Sequence, residues 1–122
     1  ALYQAILKDV VGVLHEKTDS NVMFMQDNAR PHSGAIEMLT RRGVNCLASW
    51  PSLSPDLNPM EQFWDILSRR VKAQNPWGVE ELAQAIKEES AKIPSETIEK
   101  LVNSFNSRCQ KVISSKGAAI KP

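Results

Sequence analysis

The sequence has few cysteines, little net charge and no long apolar run. Its two cysteines, Cys46 and Cys109, fall outside any CxxC pattern, so we expect free thiols and no zinc site. No apolar stretch reaches the length that a bilayer-spanning helix needs, and no secretory signal is visible. We therefore expect an intracellular protein without membrane contact. The net charge of +1 also excludes a chain that binds nucleic acid through uniform positive charge.

The overall composition is that of an ordinary globular protein. Hydrophobic residues make up 42% of the sequence and charged residues 24%. A chain of 122 residues is long enough to bury a single core. We therefore predict that residues 1–114 form one domain or a piece of one, followed by a flexible tail at residues 115–122.

The first half of the sequence carries both helical and strand-like patterns. Residues 2–17 repeat apolar side chains at helical spacing and predict an amphipathic helix. Short apolar runs at residues 21–26 and 44–50 predict two buried strands. Residues 33–43 between them predict a helix that Gly43 terminates. A strand, a crossover helix and a second strand in this order predict a parallel, right-handed pair.

The second half of the sequence is helical and begins with a proline-rich loop. Residues 51–59 hold three prolines, and Asn58, followed by proline, is typical of a helix N-cap. After a break at residues 73–78, two more amphipathic helices are predicted, at residues 79–93 and from a cap at Ser95 to the tail. The predicted fold class is therefore α/β, with two parallel strands and about five helices.

Two acidic residues are predicted to meet at one edge of the sheet. Asp27 follows the first strand, and Glu61 lies in the first turn of the helix after the second strand and its loop. Since the carboxyl ends of parallel strands emerge at the same edge, we expect both carboxylates at one rim. Such oxygen ligands suit Mg²⁺ or Mn²⁺, and a pair of these ions can clamp the attacking and leaving oxygens of a phosphoryl transfer.

Local structural roles could also account for the same polar residues. Glu61 could complete a capping box with Asn58 by accepting a hydrogen bond from the N-cap backbone. Asp27 and Asn28 could form a turn in which their side chains bond the local backbone, and His32 could be a surface or capping histidine. Two tryptophans are predicted as core residues rather than as base-stacking platforms: Trp50 and Trp64.

Two motifs are more specific than the acidic residues alone. The segment QDNARPH at residues 26–32 is followed by WPSLSPDLNPMEQFW at residues 50–64. Together they resemble the catalytic-domain signature of the mariner-type transposases, in the branch whose third acidic residue is glutamate. The resemblance extends over roughly residues 3–114. It implies a ribonuclease H-like fold whose Asp-Asp-Glu triad cuts and rejoins DNA with two divalent metal ions, Mg²⁺ or Mn²⁺.

The resemblance assigns roles to individual residues. Asp27 matches the second acid and Glu61 the third, so both would be catalytic and would bind metal. The 33 residues between them are one fewer than is typical of that branch. Asn58 would aim its helix so that Glu61 faces the metal ions. The matching supporting residues are Asn28, Arg30, His32, Pro55, Asp56, Asn58 and Pro59.

The first acid of the triad has no counterpart in this sequence. Asp9 falls in a predicted helix and Asp19 in a loop, whereas the family places the first acid on the first strand. We therefore expect a partial ribonuclease H-like fold that lacks the first β-hairpin and the first catalytic aspartate. The remaining strands would present an unpaired edge, so we expect self-association or pairing with a missing upstream segment.

Basic residues are the candidate DNA contacts, because each can neutralise a phosphate. Six lie in or near the motifs and the following helix: Arg30, Arg41, Arg42, Arg69, Arg70 and Lys72. Four more follow Leu101, without any acidic residue: Arg108, Lys111, Lys116 and Lys121. Solvated helix faces and tails are the alternative interpretation of these charges.

The leading hypothesis is a transposase-derived domain for metal-dependent DNA strand cleavage and strand transfer. We expect it to be inactive as this isolated chain, because one metal ligand is missing. The alternative is a non-catalytic remnant that binds DNA or protein, and a third interpretation is an unrelated helical structural domain. A role on DNA predicts a nuclear location in a eukaryote and a cytoplasmic one otherwise.

Overall fold

A computed structural model describes residues 2–17 and 23–120. The chain divides into two compact units, which we call the first unit (Ala1–Leu53) and the second unit (Ser54–Pro122). The described part contains five α-helices and one pair of parallel strands, which confirms the α/β class. The ribonuclease H-like topology stays a prediction, since two strands do not define it.

The first unit is an α/β unit with two very short strands. Met23 pairs with Asn45 and Phe24 with Cys46, in parallel, as predicted. The first strand was predicted over residues 21–26, of which the first two lie outside the described residues. Within the described residues each strand is two residues long, so the runs predicted at residues 21–26 and 44–50 overestimate the length of the ladder. The elements are α1 Leu2–Lys17, β1 Met23–Phe24, a 3₁₀ turn Arg30–His32, α2 Ala35–Thr40 and β2 Asn45–Cys46.

The core of the first unit lies between α1, α2 and β2. Its buried residues are Leu7, Val11, Ala35, Leu39 and Val44. Leu7 and Val11 lie one helical turn apart on α1 and form its buried stripe. Ile6 and Val10 precede them by one residue, and each is 51% exposed. Among the described side chains of α1, the buried face is therefore narrower than the apolar pattern predicts.

Gly43 ends α2 as predicted. Its φ of +81° is left-handed, a conformation that glycine adopts without steric cost. The N–H of Gly43 donates to the carbonyl of Thr40 at 3.0 Å, and the N–H of Val44 donates to that of Leu39 at 3.1 Å. This pair of bonds is the Schellman motif, and it carries the chain directly into β2.

The second unit consists of three helices, with α3 packed against the other two. Leu67 and Val71 of α3 meet Ala85 of α4 and Ile93 in the core. The predicted helix positions and the break before α4 are confirmed. The helices are α3 Pro59–Ala73, α4 Gly78–Ala91 and α5 Ser95–Ser114.

Two predictions for the second half are wrong. Ser95 is the first residue of α5 rather than its N-cap, because Pro94 occupies that position and its carbonyl accepts from Thr97 at 3.0 Å. Trp64 is 53% exposed, whereas Trp50 is buried as predicted. The Trp64 ring lies on the rim of an apolar groove of about 350 Å³ between α3 and α4, so those two helices do not cover it.

No helix within the described ranges combines the length and the apolar character that crossing a bilayer requires. In the tail, whose flexibility stays a prediction, the N–H of Ile120 donates to Oδ2 of Asp56 at 2.9 Å.

Candidate functional site

Asp27 lies just beyond β1, in the loop that the motif QDNARPH forms. Its Oδ1 accepts a hydrogen bond from the N–H of Ala29 at 3.0 Å, which is an Asx turn. The predicted turn role of Asp27 is thus confirmed. The side chain of Asn28 does not bond the local backbone. Its Nδ2 donates a hydrogen bond to the carbonyl of Trp50, at 2.8 Å and 22 residues along the chain. This bond ties the first motif to the start of the second.

His32 contacts Asp27 directly. Its Nδ1 lies 2.6 Å from Oδ1 of Asp27, close enough for charge pairing but outside the alignment of a hydrogen bond. The imidazole also stacks on the ring of Tyr3, with 4.3 Å between ring centroids and 26° between planes. His32 is half-buried rather than a surface histidine, and it orients one oxygen of Asp27.

Gln26 and Tyr3 complete this network, although neither was predicted as a site residue. The Nε2 of Gln26 donates to the carbonyl of His32 at 3.0 Å, and the hydroxyl of Tyr3 donates to Oε1 of Gln26 at 3.2 Å. Burial and the negative charge of Asp27 raise the pKa of Tyr3. The place of Gln26 as the first letter of the motif was the signal that could have identified it.

An open depression of about 880 Å³ lies beside Asp27 in the first unit. Arg30, His32 and Glu37 are among the residues that line it. Arg30 supplies an exposed positive charge at its wall.

Glu61 lies in the second unit, in the first turn of α3. Oδ1 of Asn58 accepts from the N–H of Met60 at 3.0 Å, so Asn58 is the N-cap as predicted. The reciprocal half of a capping box is not formed, since the N–H of Asn58 donates to the carbonyl of Pro55 at 3.2 Å. The carboxylate of Glu61 is exposed and has no hydrogen bond or ion pair to any residue that the structure describes.

Arg108 holds the loop in front of Glu61, although its sequence position suggested an exposed cation. It is only 6% exposed. Its Nη1 donates to the carbonyl of Asp56 at 3.1 Å, and its Nη2 donates to Oε1 of Gln62. An available signal was its place on the apolar stripe of α5, where Phe105 and Val112 flank it at helical spacing.

The candidate DNA contacts fall into two groups. Arg41, Arg69 and Arg70 form ion pairs with Glu37, Asp65 and Glu89, at 2.6, 2.7 and 2.9 Å. The first two pairs are exposed and are worth only about 0–1 kcal/mol, so phosphates could replace them. The three other candidates are exposed and form no ion pair within the described residues: Arg30, Arg42 and Lys72.

Glu89 is a buried acid that the sequence did not single out. Its side chain is 6% exposed and accepts hydrogen bonds from three donors, on Arg70, Gln74 and Lys92, at 2.8 to 3.0 Å. The hydrogen bond from Lys92 lowers the pKa of Glu89 most, and the bond from Arg70 adds to this, against the opposing effect of burial. Arg70 of α3 and Gln74, which directly follows that helix, thus hold Glu89 inside the second unit.

The predicted site residues are grouped within each unit. Asp27, Asn28, His32 and Trp50 are brought together in the first, whereas Asn58 and Glu61 share the helix start of the second. Among the described residues, no three side chains of His, Cys, Asp or Glu form a metal-binding group.

Comparison with known proteins adds an independent observation. No protein-family model matches the chain. It is 38% identical over 101 residues to the Tcb1 transposase of Caenorhabditis briggsae, and 37% identical over the same length to the Tc1 transposase of Caenorhabditis elegans. Both matches cover 81% of this chain and 37% of the relative. A further relative, the Tcb2 transposase of Caenorhabditis briggsae, is 32% identical over 123 residues, covering 98% of this chain and 45% of the relative.

The chain is homologous to transposases of the Tc1/mariner family. It spans less than half the length of each of these curated relatives. The Tcb2 match covers nearly the whole chain, so it includes both motifs. The glutamate branch is a finer assignment than this homology reaches.

Proposed function

We propose that this chain is the C-terminal part of the catalytic domain of a DNA transposase with an Asp-Asp-Glu triad. Asp27 would be the second acid and Glu61 the third. The observation that carries the proposal is the state of Glu61, whose helix start is fixed by Asn58 while its carboxylate has no partner in the described part of the chain. A residue kept only for capping would use its carboxylate locally.

The two carboxylates fit a hard divalent cation such as Mg²⁺ or Mn²⁺. Both are oxygen donors with partial or full exposure, and such ions take one or two carboxylates and keep several waters. His32 and Ala29 contact only Oδ1 of Asp27, which leaves Oδ2 for a metal. When bound, two such ions would activate the attacking oxygen and stabilise the leaving oxygen of a phosphodiester.

The remaining motif residues would position these two acids. The contact with His32 and the bond from Ala29 fix the rotamer of Asp27. Asn28 fixes the loop against the backbone of Trp50. Arg30 would bind a DNA phosphate beside Asp27, and Arg42 and Lys72 would add further phosphate contacts because each is exposed and has no ion-pair partner in the described ranges.

The proposal includes the rest of the predicted framework. The fold would be ribonuclease H-like, and the open edge of the two-stranded sheet would pair with a further segment or a second copy. A third acid would complete the metal site, so the isolated chain should not nick DNA. We place the function on DNA, and in a eukaryotic host in the nucleus.

Paramagnetic broadening by Mn²⁺ in NMR spectra of the chain tests this proposal. We expect Mn²⁺ to broaden the amide signals around Asp27 and around Glu61 selectively. Glu61→Gln should weaken the broadening at both positions, because both carboxylates would share the metal site. Asp65→Asn is the matched control, since Asp65 is an exposed acid on the same helix that pairs with Arg69. Equal weakening of the broadening by Asp65→Asn and by Glu61→Gln would refute a dedicated site.

A second candidate is a non-catalytic DNA-binding module. Three exposed basic residues without ion pairs in the described part favour it. In that case the double variant Asp27→Asn/Glu61→Gln should bind DNA as tightly as the parent chain and show no loss of Mn²⁺ broadening. Metal-dependent nicking by the isolated chain, lost in Glu61→Gln, would instead contradict both this candidate and the expected inactivity.

A further inference from the structure

Arg108 is a buried cation whose partners are neutral. It lies on α5 and is 6% exposed. Its guanidinium donates to the backbone carbonyl of Asp56 and to the side-chain oxygen of Gln62. No acidic side chain forms an ion pair with it within the described residues. Since burying a charge is costly, an apolar residue would fill this place on the helix at lower cost if packing were its only role.

The two acceptors of Arg108 lie on either side of the helix start that carries Glu61. Asp56 belongs to the loop before α3, and Gln62 is the residue directly after Glu61. A planar guanidinium with donors in a fixed fork can hold two acceptors in one relative position. Arg108 therefore fixes the loop and the first turn of α3 with respect to each other.

A second bond restrains the same loop. Oδ2 of Asp56 accepts from the N–H of Ile120 at 2.9 Å, so Asp56 is held through both its backbone and its side chain. Within the loop, the N–H of Asn58 donates to the carbonyl of Pro55 at 3.2 Å. These bonds leave the segment before Glu61 little freedom to shift.

We propose that Arg108 is a positioning residue for Glu61. It would act through Asp56 and Gln62, hold the carboxylate of Glu61 where a divalent metal can bind, and contact neither metal nor DNA itself. This inference rests on the proposed function for the role of Glu61. The clasp formed by Arg108, Asp56 and Gln62 can nevertheless be tested without any metal.

Amide hydrogen exchange measured by NMR is the first test. In Arg108→Gln, we expect exchange at Met60 and Glu61 to accelerate by about tenfold or more, because the junction opens locally. Exchange at Leu67, in the core of the same helix, should stay within about twofold. Lys111→Gln is the matched control, because it removes an exposed cation from the same helix and should leave all three rates unchanged.

Two further variants keep the test decisive if Arg108→Gln fails to fold. Arg108→Lys keeps the charge but loses the fork, and Gln62→Met removes one acceptor while keeping a side chain of similar length. Both should accelerate exchange at Met60 and Glu61 without affecting Leu67. Unchanged rates at the helix start, or equal acceleration across α3, would overturn the proposal, since either would show that Arg108 has no local role.

Mn²⁺ broadening at Glu61 is the second test, and it separates positioning from stability. In Arg108→Lys, about tenfold more Mn²⁺ should be needed to produce the same broadening at Glu61. The measurement is made at a temperature where the variant is fully folded. Normal broadening in a variant with accelerated exchange would overturn the positioning role. If the parent chain shows no selective broadening, the proposed metal function fails, whereas the exchange test still decides whether the clasp exists.

Discussion

The two units hold their candidate catalytic acids in opposite ways. In the first unit the carboxylate of Asp27 is engaged, by the backbone of Ala29 and by His32. In the second unit the carboxylate of Glu61 contacts no described partner, while the backbone on both sides of it is fixed by Asn58 and Arg108. One acid is oriented through its side chain and the other through its main chain.

This difference separates stability from function in the two units. Removing Asp27 disturbs a local network, so a loss of function there is mixed with a loss of structure. Removing the carboxylate of Glu61 breaks no contact with a described residue, so its effects report on ligands more directly. Substitutions in one unit at a time can therefore test whether the two acids are held in these different ways.

The largest effect on stability is expected at Leu39, the one large side chain in the described part that is fully buried. Leu39→Ala should destabilise the chain by about 2–5 kcal/mol, because it removes buried methyl groups and leaves a cavity. Urea unfolding would measure it. Ile6→Ala is the control, because Ile6 is half-exposed on α1, and it should cost less than about 1 kcal/mol. Similar losses in both variants would contradict the core described for the first unit.

The two acids should respond differently to loss of their charge. Asp27→Asn should lower stability by about 1–2 kcal/mol, because the bond from Ala29 loses its charged acceptor and the contact with His32 is weakened. Glu61→Gln should change it by less than about 1 kcal/mol, since only the favourable field at the helix N-terminus is lost. Both should weaken Mn²⁺ binding by about tenfold or more. Thermal unfolding and Mn²⁺ titration measure the two quantities, and equal stability losses would contradict the comparison.

Acid should destabilise the second unit through Glu89. Its pKa is lowered in the fold, so its contribution to stability is present above the ordinary value of 4.5 and is lost as the pH falls towards the lowered pKa. Glu89→Gln should reduce Tm at pH 7 by about 5 °C, because three donors lose a charged acceptor, and it should flatten the decline of Tm as the pH falls below 4.5. Glu99→Gln, at an exposed position of α5, is the control. An unchanged acid limb in Glu89→Gln would show that other carboxylates dominate.

High pH should lower the stability of the first unit through Tyr3, and this is the smallest of the four expected stability effects. The pKa of Tyr3 is raised, so its contribution is fully present below the ordinary value of 10 and is lost as the pH rises through the raised pKa. Tyr3→Phe should cost about 0.5–1.5 kcal/mol at pH 7 through the lost bond to Gln26, and should show a shallower alkaline decline. Urea unfolding of both chains at pH 8 and pH 11 would measure it, since lysines and cysteines titrate in both chains and Tyr3 is the only tyrosine in the sequence. Identical declines would contradict its place beside Asp27.

The helices and their caps were the most predictable part of the fold. Asn58 and Gly43 act through local backbone geometry, so their residue types alone predicted their positions. The strands were predicted correctly in direction but not in length. An apolar run shows which residues suit a strand, whereas the length of the ladder depends on how much backbone of both segments pairs in register, which is two residues on each side within the described part.

The supporting residues of the site were the least predictable part. Both acids could be identified from the sequence, because Asp27 follows a predicted strand and Glu61 lies in the first turn of a predicted helix. Arg108 and Glu89 looked like ordinary surface charges, because helical spacing cannot show which polar groups will face them after packing. The prediction that Trp64 is a core residue was wrong for the same reason, since its exposure depends on where α4 and α5 contact α3.

A crystal structure of the chain with Mn²⁺ would show whether Asp27 and Glu61 share an ion, because anomalous scattering locates the metal. We expect Mn²⁺ to be bound by Oδ2 of Asp27 and by the carboxylate of Glu61, with Asp27 still in contact with His32. The contradicting result is a structure at saturating Mn²⁺ in which the two carboxylates share no ion and Glu61 bonds the start of its own helix.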